Sequence, residues 1–205
     1  MERGLFIAVE GIDGTGKSTQ AKVLASWFER RGRRVVLTAE PSRGALGRLV
    51  RDGLAGRRRF SPGTMALLFA SDRLDHLAKV IEPALKEGCV VVTDRYLLSS
   101  LAYQSVHNNP EWVTAINNRA RKPDLTILLD MGVEDCLARL KNRKGYAEIY
   151  ETAELLGKVR FNYRDLAARA GEAGERVVTI DAGALPEEVS RAVVRAGMTI
   201  LEPEP

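Results

Sequence analysis

Eight consecutive residues carry the strongest chemical signal in the chain: Gly11-Ile12-Asp13-Gly14-Thr15-Gly16-Lys17-Ser18. The spacing is G-x-x-x-x-G-K-[ST], in which glycines without a Cβ let successive backbone N–H groups turn toward one point. At a helix N-terminus such a nest binds phosphate, because the helix dipole favours anions there. Lys17 can then reach the β- and γ-phosphates of a nucleoside triphosphate, and the Ser18 hydroxyl can ligate Mg²⁺. With Thr19 in the first helical turn, residues 11–19 form the expected ATP-binding stretch. A second group, Asp94-Arg95-Tyr96, follows an apolar run. A carboxylate at the tip of a neighbouring strand can help hold the Mg²⁺ shell, and Arg95 can clamp a phosphate with two parallel hydrogen bonds. Taken alone, the first motif could be a Gly-rich turn with a capping serine, and Asp94 could cap the helix from Leu97. Their strand-turn-helix setting, and the arginine beside Asp94, favour phosphate chemistry.

These groups need a scaffold that presents strand tips together. Short apolar runs at Leu5–Glu10, Arg34–Ala39, Cys89–Asp94, Asp124–Asp130 and Arg176–Asp181 read as strands covered on both faces. Between them, helical patterns occupy Lys17–Arg31, Gly44–Leu54, Thr64–Glu87, Leu97–Tyr103, Val133–Arg143, Glu151–Arg169 and Pro186–Gly197. Strand-helix alternation of this kind predicts a three-layer α/β fold, with a five-stranded parallel sheet flanked by helices. No repeat, low-complexity tract or linker divides the 205 residues, so a single domain is expected.

Composition narrows the partners. Hydrophobic residues make up 45% and charged residues 28%, the profile of a soluble globule. No run approaches the ~20 apolar residues of a membrane span, and the N-terminus lacks the features of a secretory signal. Cys89 and Cys136 read as buried thiols in a reducing cytoplasm, and His76 and His107 lack ligand-spaced companions for zinc. The net charge is +4, but the bases are dispersed and offset by 27 acids. Small phosphorylated substrates fit that pattern better than nucleic acid does.

Beyond the phosphate loop, the chain resembles the thymidylate kinases over nearly its whole length. The resemblance rests on FIAVEGIDGTGKSTQ (6–20), EPSR (40–43), LLFASDR (67–73), VVTDRYLLSSLAYQ (91–104), KPDLTILLD (122–130), and Tyr, Glu, Val-Arg and Leu-Ala positions across 150–167. It implies ATP-dependent phosphorylation of dTMP to dTDP, with Mg²⁺, by a cytoplasmic homodimer. By the same resemblance, Arg43 and Arg95 grip the acceptor's 5′-phosphate, Arg73 bonds the thymine edge, and Phe69 stacks on the base. Ser99, Ser100 and Gln104 match positions near base and sugar. Tyr103 matches the ring that crowds the 2′ position, and Asp13 the carboxylate that meets the 3′-hydroxyl. Read without the resemblance, Phe69 would be core, Tyr103 a packing residue, and Arg73 the partner of an i,i+4 acid.

Residues 142–151 (Asn-Arg-Lys-Gly-Tyr-Ala-Glu-Ile-Tyr-Glu) resemble a short lid that closes over ATP. Glu148-Ile149 stands where many members carry Asp-Arg, and Gly14 where some carry a base within the loop. Arg143 and Lys144 are therefore the expected catalytic cations of the lid. Two other readings remain compatible with the phosphate loop: another short nucleoside or nucleotide kinase, and a regulatory ATPase. No glutamine that could orient water follows Asp94, which counts against the latter.

Overall fold

The computed structural model describes residues 3–141 and 152–201. Strand β1 (Leu5–Glu10) runs up the middle of the sheet and leads into helix α1 (Lys17–Glu29). There follow β2 (Val35–Ala39), α2 (Ala45–Leu54), α3 (Pro62–His76), α4 (Glu82–Lys86) and β3 (Val90–Asp94). The remaining elements are α5 (Leu97–Gln104), α6 (Pro110–Ile116), β4 (Leu125–Asp130), α7 (Val133–Lys141), α8 (Ala153–Glu172), β5 (Val177–Asp181) and α9 (Pro186–Met198). The strand order is β2-β3-β1-β4-β5, and every pairing is parallel. This is the three-layer α/β arrangement expected from the sequence, with each strand inside its expected segment.

The pleat of β1 divides the core. Leu5, Ile7 and Val9 point into one cluster with Leu24 and Phe28 of α1, Val159 of α8 and Val193 of α9. Phe6 and Ala8 face the opposite layer, against Leu77, Ile81, Leu85 and Tyr96. All six residues of β1 are buried, as a central parallel strand requires. The edge strands β2 and β5 are only partly covered.

The helices differ from expectation in two places. The stretch expected to be one helix over Thr64–Glu87 begins at Pro62, where the Ser61 hydroxyl accepts from Thr64 N–H at 3.1 Å. It then passes through a π-helical turn at Leu77–Ile81 before α4. Pro83 explains the interruption, because it has no N–H to return to the carbonyl four residues earlier and its ring crowds that carbonyl. Helix α6 was not anticipated from periodicity. At seven residues it is too short to show a stripe, yet its start is marked by Asn109, whose side chain accepts from Trp112 N–H at 2.9 Å, and by Pro110.

Parallel topology places the C-terminal ends of β1, β3 and β4 side by side. Phosphate loop, Asp94-Arg95 and the start of α7 therefore meet at one rim, where ligands bind in open α/β sheets. The expected lid at 142–151, with Arg143 and Lys144, lies outside the described residues.

Candidate active site

The phosphate loop is shaped by three left-handed glycines, Gly11, Gly14 and Gly16, with φ of 142°, 91° and 91°. Two are also enforced by contact. A Cβ on Gly11 would lie 2.4 Å from the Leu129 carbonyl oxygen, and one on Gly14 would lie 2.7 Å from that of Cys136. Helix α7 therefore presses so closely on residue 14 that this chain has no room for a basic side chain there. Cys136 is fully buried against the loop, and burial pushes its thiol pKa up to about 11, so it remains neutral. Thr15 is buried and ties the turn by donating to the Ile12 carbonyl at 2.8 Å.

Lys17 is only 5% exposed. Its Nζ donates to the Ile12 carbonyl at 2.8 Å and to Asp13 Oδ1 at 3.1 Å. Burial, followed by repulsion from Arg95, lowers its pKa, while Asp13 and Asp94 pull the other way. Arg95 bonds the same Asp13 oxygen from across the cleft. Burial opposes the Arg95 charge, but Asp13 and its other neighbours raise the pKa well above the ordinary value. Asp13 is thus shared by two cations, a natural arrangement for a pocket whose ligands bring several negative charges.

Beside them, Ser18 Oγ donates to Asp94 Oδ2. The other carboxylate oxygen, Asp94 Oδ1, is buried and has no hydrogen-bond partner among the described residues. An orphaned carboxylate oxygen beside a hydroxyl is a pair of hard donors suited to Mg²⁺, which usually takes one or two protein ligands and completes its shell with water and phosphate. These residues fit that ion. The cleft has a volume of about 430 Å³ and is lined by Asp13, Lys17, Ser18, Asp94, Arg95 and Arg139, among others.

The acceptor-side residues form a second, more deeply buried layer. Arg73 is 1% exposed. Its Nη2 donates to Glu40 Oε2 at 2.6 Å, the Tyr96 carbonyl at 2.9 Å and Ser100 Oγ at 2.9 Å, while Nη1 donates to Asn117 Oδ1. Glu40 also meets His76, whose other ring nitrogen contacts Thr38. The pairing of Arg73 is thus tertiary and not with an i,i+4 acid. Arg73 Nε stays buried and unpartnered among the described residues. The preceding residue, Asp72, is equally buried, and it accepts from Ser42 N–H at 2.7 Å and Ser42 Oγ at 2.5 Å. Adjacent residues of α3 therefore clip the 40–44 loop twice and leave Arg43 exposed, with no side-chain partner among the described residues.

Ser99 and Ser100, expected near base and sugar by the resemblance, lie on α5 beside the charged groups of the site. Both are buried, with Ser99 Oγ bonded to Glu10 and Tyr163, and Ser100 Oγ to Arg73. Their hydroxyls are occupied internally, which makes them supports for the site's charged groups. Tyr103 is half-buried, edge-on to Tyr163 at 6.2 Å, with the Arg95 guanidinium 5.1 Å from its ring centre. Phe69 is half-buried and belongs to neither core cluster, unlike a default core aromatic. Gln104, also half-buried, ends α5. The structure thus gathers Asp13, Lys17, Ser18, Asp94 and Arg95 in one cleft, with Tyr103 against Arg95. Among the described residues, no side-chain hydrogen bond or ion pair links Arg43, Phe69 or Gln104 to that group. Sequence reasoning missed Glu10, Glu40, Asp72, Asn117 and Arg139. The first two stand at or just past strand ends, and Asp72 is adjacent to Arg73, the one signal that pointed to it.

Comparison with known proteins agrees with this geometry. The thymidylate kinase family model matches residues 9–193. A relative in Pyrococcus abyssi named "Probable thymidylate kinase" is 46% identical over 198 residues, covering 94% of this chain and 95% of that protein. Proteins of the same name in Pyrococcus horikoshii and Pyrobaculum aerophilum are 48% and 44% identical, covering 80% and 92% of this chain and 83% and 93% of their own lengths. The chain belongs to the thymidylate kinase family.

Proposed function

We propose that this protein transfers the γ-phosphoryl group of ATP to dTMP, giving dTDP and ADP. The observation that carries the reading is the convergence of Lys17, Ser18, Asp94 and Arg95 in the cleft at the phosphate loop, in a chain of this family. The loop amides and Lys17 hold the donor phosphates, with Lys17 leaving Asp13 for the β- and γ-oxygens. Ser18 and Asp94 would hold Mg²⁺, which would supply charge neutralisation to the donor phosphates. Arg95 lies between loop and acceptor and bridges the incoming 5′-phosphate, which exposed Arg43 meets from the other side. Because a phosphate monoester has a second pKa of about 6, the attacking oxygen is already anionic at neutral pH, and no general base is required. Asp13 is then a positioning group, released by both cations to meet the acceptor sugar.

The remaining roles follow from placement and resemblance together. Phe69 offers a ring outside the core for thymine. Arg73, whose buried Nε has no partner among the described residues, is by the resemblance the residue that meets the base edge. Arg143 and Lys144 bring positive charge to the γ-phosphate from the lid, a need made sharper because Gly14 cannot be replaced by a base. The chain works as one domain, and family membership supports a homodimer acting in the cytoplasm. The reading is tested by a panel of nucleoside monophosphates with ATP and Mg²⁺: dTMP should be phosphorylated fastest, and a different preferred acceptor would refute it.

Tyr103 tests the sugar preference within that panel. Its ring is held between Arg95 and Tyr163, and by the resemblance it lies against the 2′ carbon, where it would exclude ribose sterically. Tyr103→Phe should keep the ratio of dTMP to ribothymidine monophosphate turnover. Tyr103→Ala should lower it by the equivalent of about 1–3 kcal/mol, the usual scale for one steric group in a pocket. An unchanged ratio in Tyr103→Ala would make the tyrosine a packing residue only.

A further inference from the structure

We propose that Glu10 is a positioning residue that locks Arg95 into the backbone conformation aiming its guanidinium across the cleft at the phosphate loop. This rests on the phosphate-clamping role of Arg95 in the proposed function. Arg95 has φ of +70° and is the only non-glycine residue with positive φ among the described residues. A side-chain-bearing residue is strained there, and such strain persists where the surroundings over-determine it, most often at functional sites.

The surroundings that over-determine it can be named. Arg95 N–H donates to the Val9 carbonyl at 2.9 Å, and its own carbonyl accepts from Thr93 Oγ1 at 2.9 Å. Glu10, the last residue of β1 and fully buried, fixes what comes next. Its Oε1 accepts from Tyr96 N–H at 2.9 Å and Ser99 N–H at 3.2 Å. Its Oε2 accepts from Ser99 Oγ at 2.6 Å and Tyr163 Oη at 3.2 Å. The tip of the central strand therefore holds residues 95, 96 and 99 at once, at and after the strained position. Tyr163 brings α8 into the same node and packs against Tyr103, which in turn faces Arg95.

Four donors on two oxygens leave Glu10 no lone pair to offer a substrate, so its effect must pass through Arg95. Burial raises its pKa, while the Ser99 hydrogen bond and the charges of Arg95 and Arg73 work against that rise.

Two substitutions separate reach from charge. Glu10→Gln keeps the length, so its oxygen can still accept from Tyr96 and Ser99 N–H, the two bonds that fix the backbone after Arg95. Glu10→Asp keeps the charge but is one methylene too short to hold both segments. Thermal unfolding, kcat and KM for each substrate are measured in both variants and the wild type. Positioning predicts that Glu10→Gln stays within about threefold of wild type, while Glu10→Asp loses roughly 10–100-fold in kcat/KM for the acceptor, with KM for ATP little changed, the scale expected of a misplaced binding group. The proposal is overturned if Glu10→Asp is the better enzyme, or if the loss falls equally on both substrates. Should Glu10→Asp not fold, Glu10→Gln decides alone: near-native kinetics support the proposal, and a tenfold loss in folded protein overturns it. Ratios are taken on whichever monophosphate the wild type uses best, so wild-type turnover of dTMP tests the substrate reading separately.

Discussion

Lys17→Ala should lose roughly 10²–10³ in kcat while keeping the wild-type melting temperature to within a few degrees, as removal of one preorganised charge stabiliser typically does. The lysine is buried in the loop, but its stem is not part of either core cluster, and its Nζ bonds only the Ile12 carbonyl and Asp13. Asp13 keeps Arg95 as a partner in the variant, so no carboxylate is stranded. The transition state fares worse, since the charge migrating toward the β–γ bridge loses its nearest protein cation. Steady-state kinetics on folded protein, with saturating ATP and Mg²⁺, provide the check. Near-normal turnover would remove the loop from the chemistry.

Arg73→Ala should instead be a stability lesion. Arg73 and Glu40 are 1% and 3% exposed at the side chain, so the substitution leaves a buried carboxylate with only His76 beside it among the described residues, and Ser100, the Tyr96 carbonyl and Asn117 short of a donor. Breaking such a pair from one side costs about 3–5 kcal/mol. At roughly 2–4 °C per kcal/mol for a chain of this size, the melting temperature should fall by on the order of 10 °C. Adding Glu40→Gln to Arg73→Ala should recover part of that loss, because the stranded charge is then gone. If the single variant melts like wild type, the buried pair is not the strut between α3, the 40–44 loop and the start of α5.

The contrast between these two residues shows what the sequence could express. The setting of Lys17 was legible because the loop is written in local spacing: the glycines, the lysine and the serine lie within eight residues, next to the strand that positions them. The sheet was legible for a similar reason, since five β-branched apolar runs can only be buried parallel strands. Arg73 carries no such local mark. Its partners come from β2–α2, the start of α5 and the end of α6, and only folding brings Glu40, Ser100 and Asn117 to it. Glu10 was hidden by its own strand, where it read as the polar end of an apolar run. The bonds of Ser99 to Glu10 and of Ser100 to Arg73 carry no local mark either, since both partners are distant in sequence. Helix α6 was missed because seven residues are too few for periodicity, although Asn109-Pro110 signalled its start.

The most direct test of the central claim is ADP release in a coupled assay with ATP and Mg²⁺, run with and without dTMP. The account predicts turnover that depends on dTMP and saturates with it, one dTDP formed for each ADP, and little hydrolysis in its absence, because the cleft is built to hold a second phosphate and not to orient water. ADP and free phosphate released at the same rate whether or not dTMP is present would contradict it, and would identify the cleft as that of an ATPase.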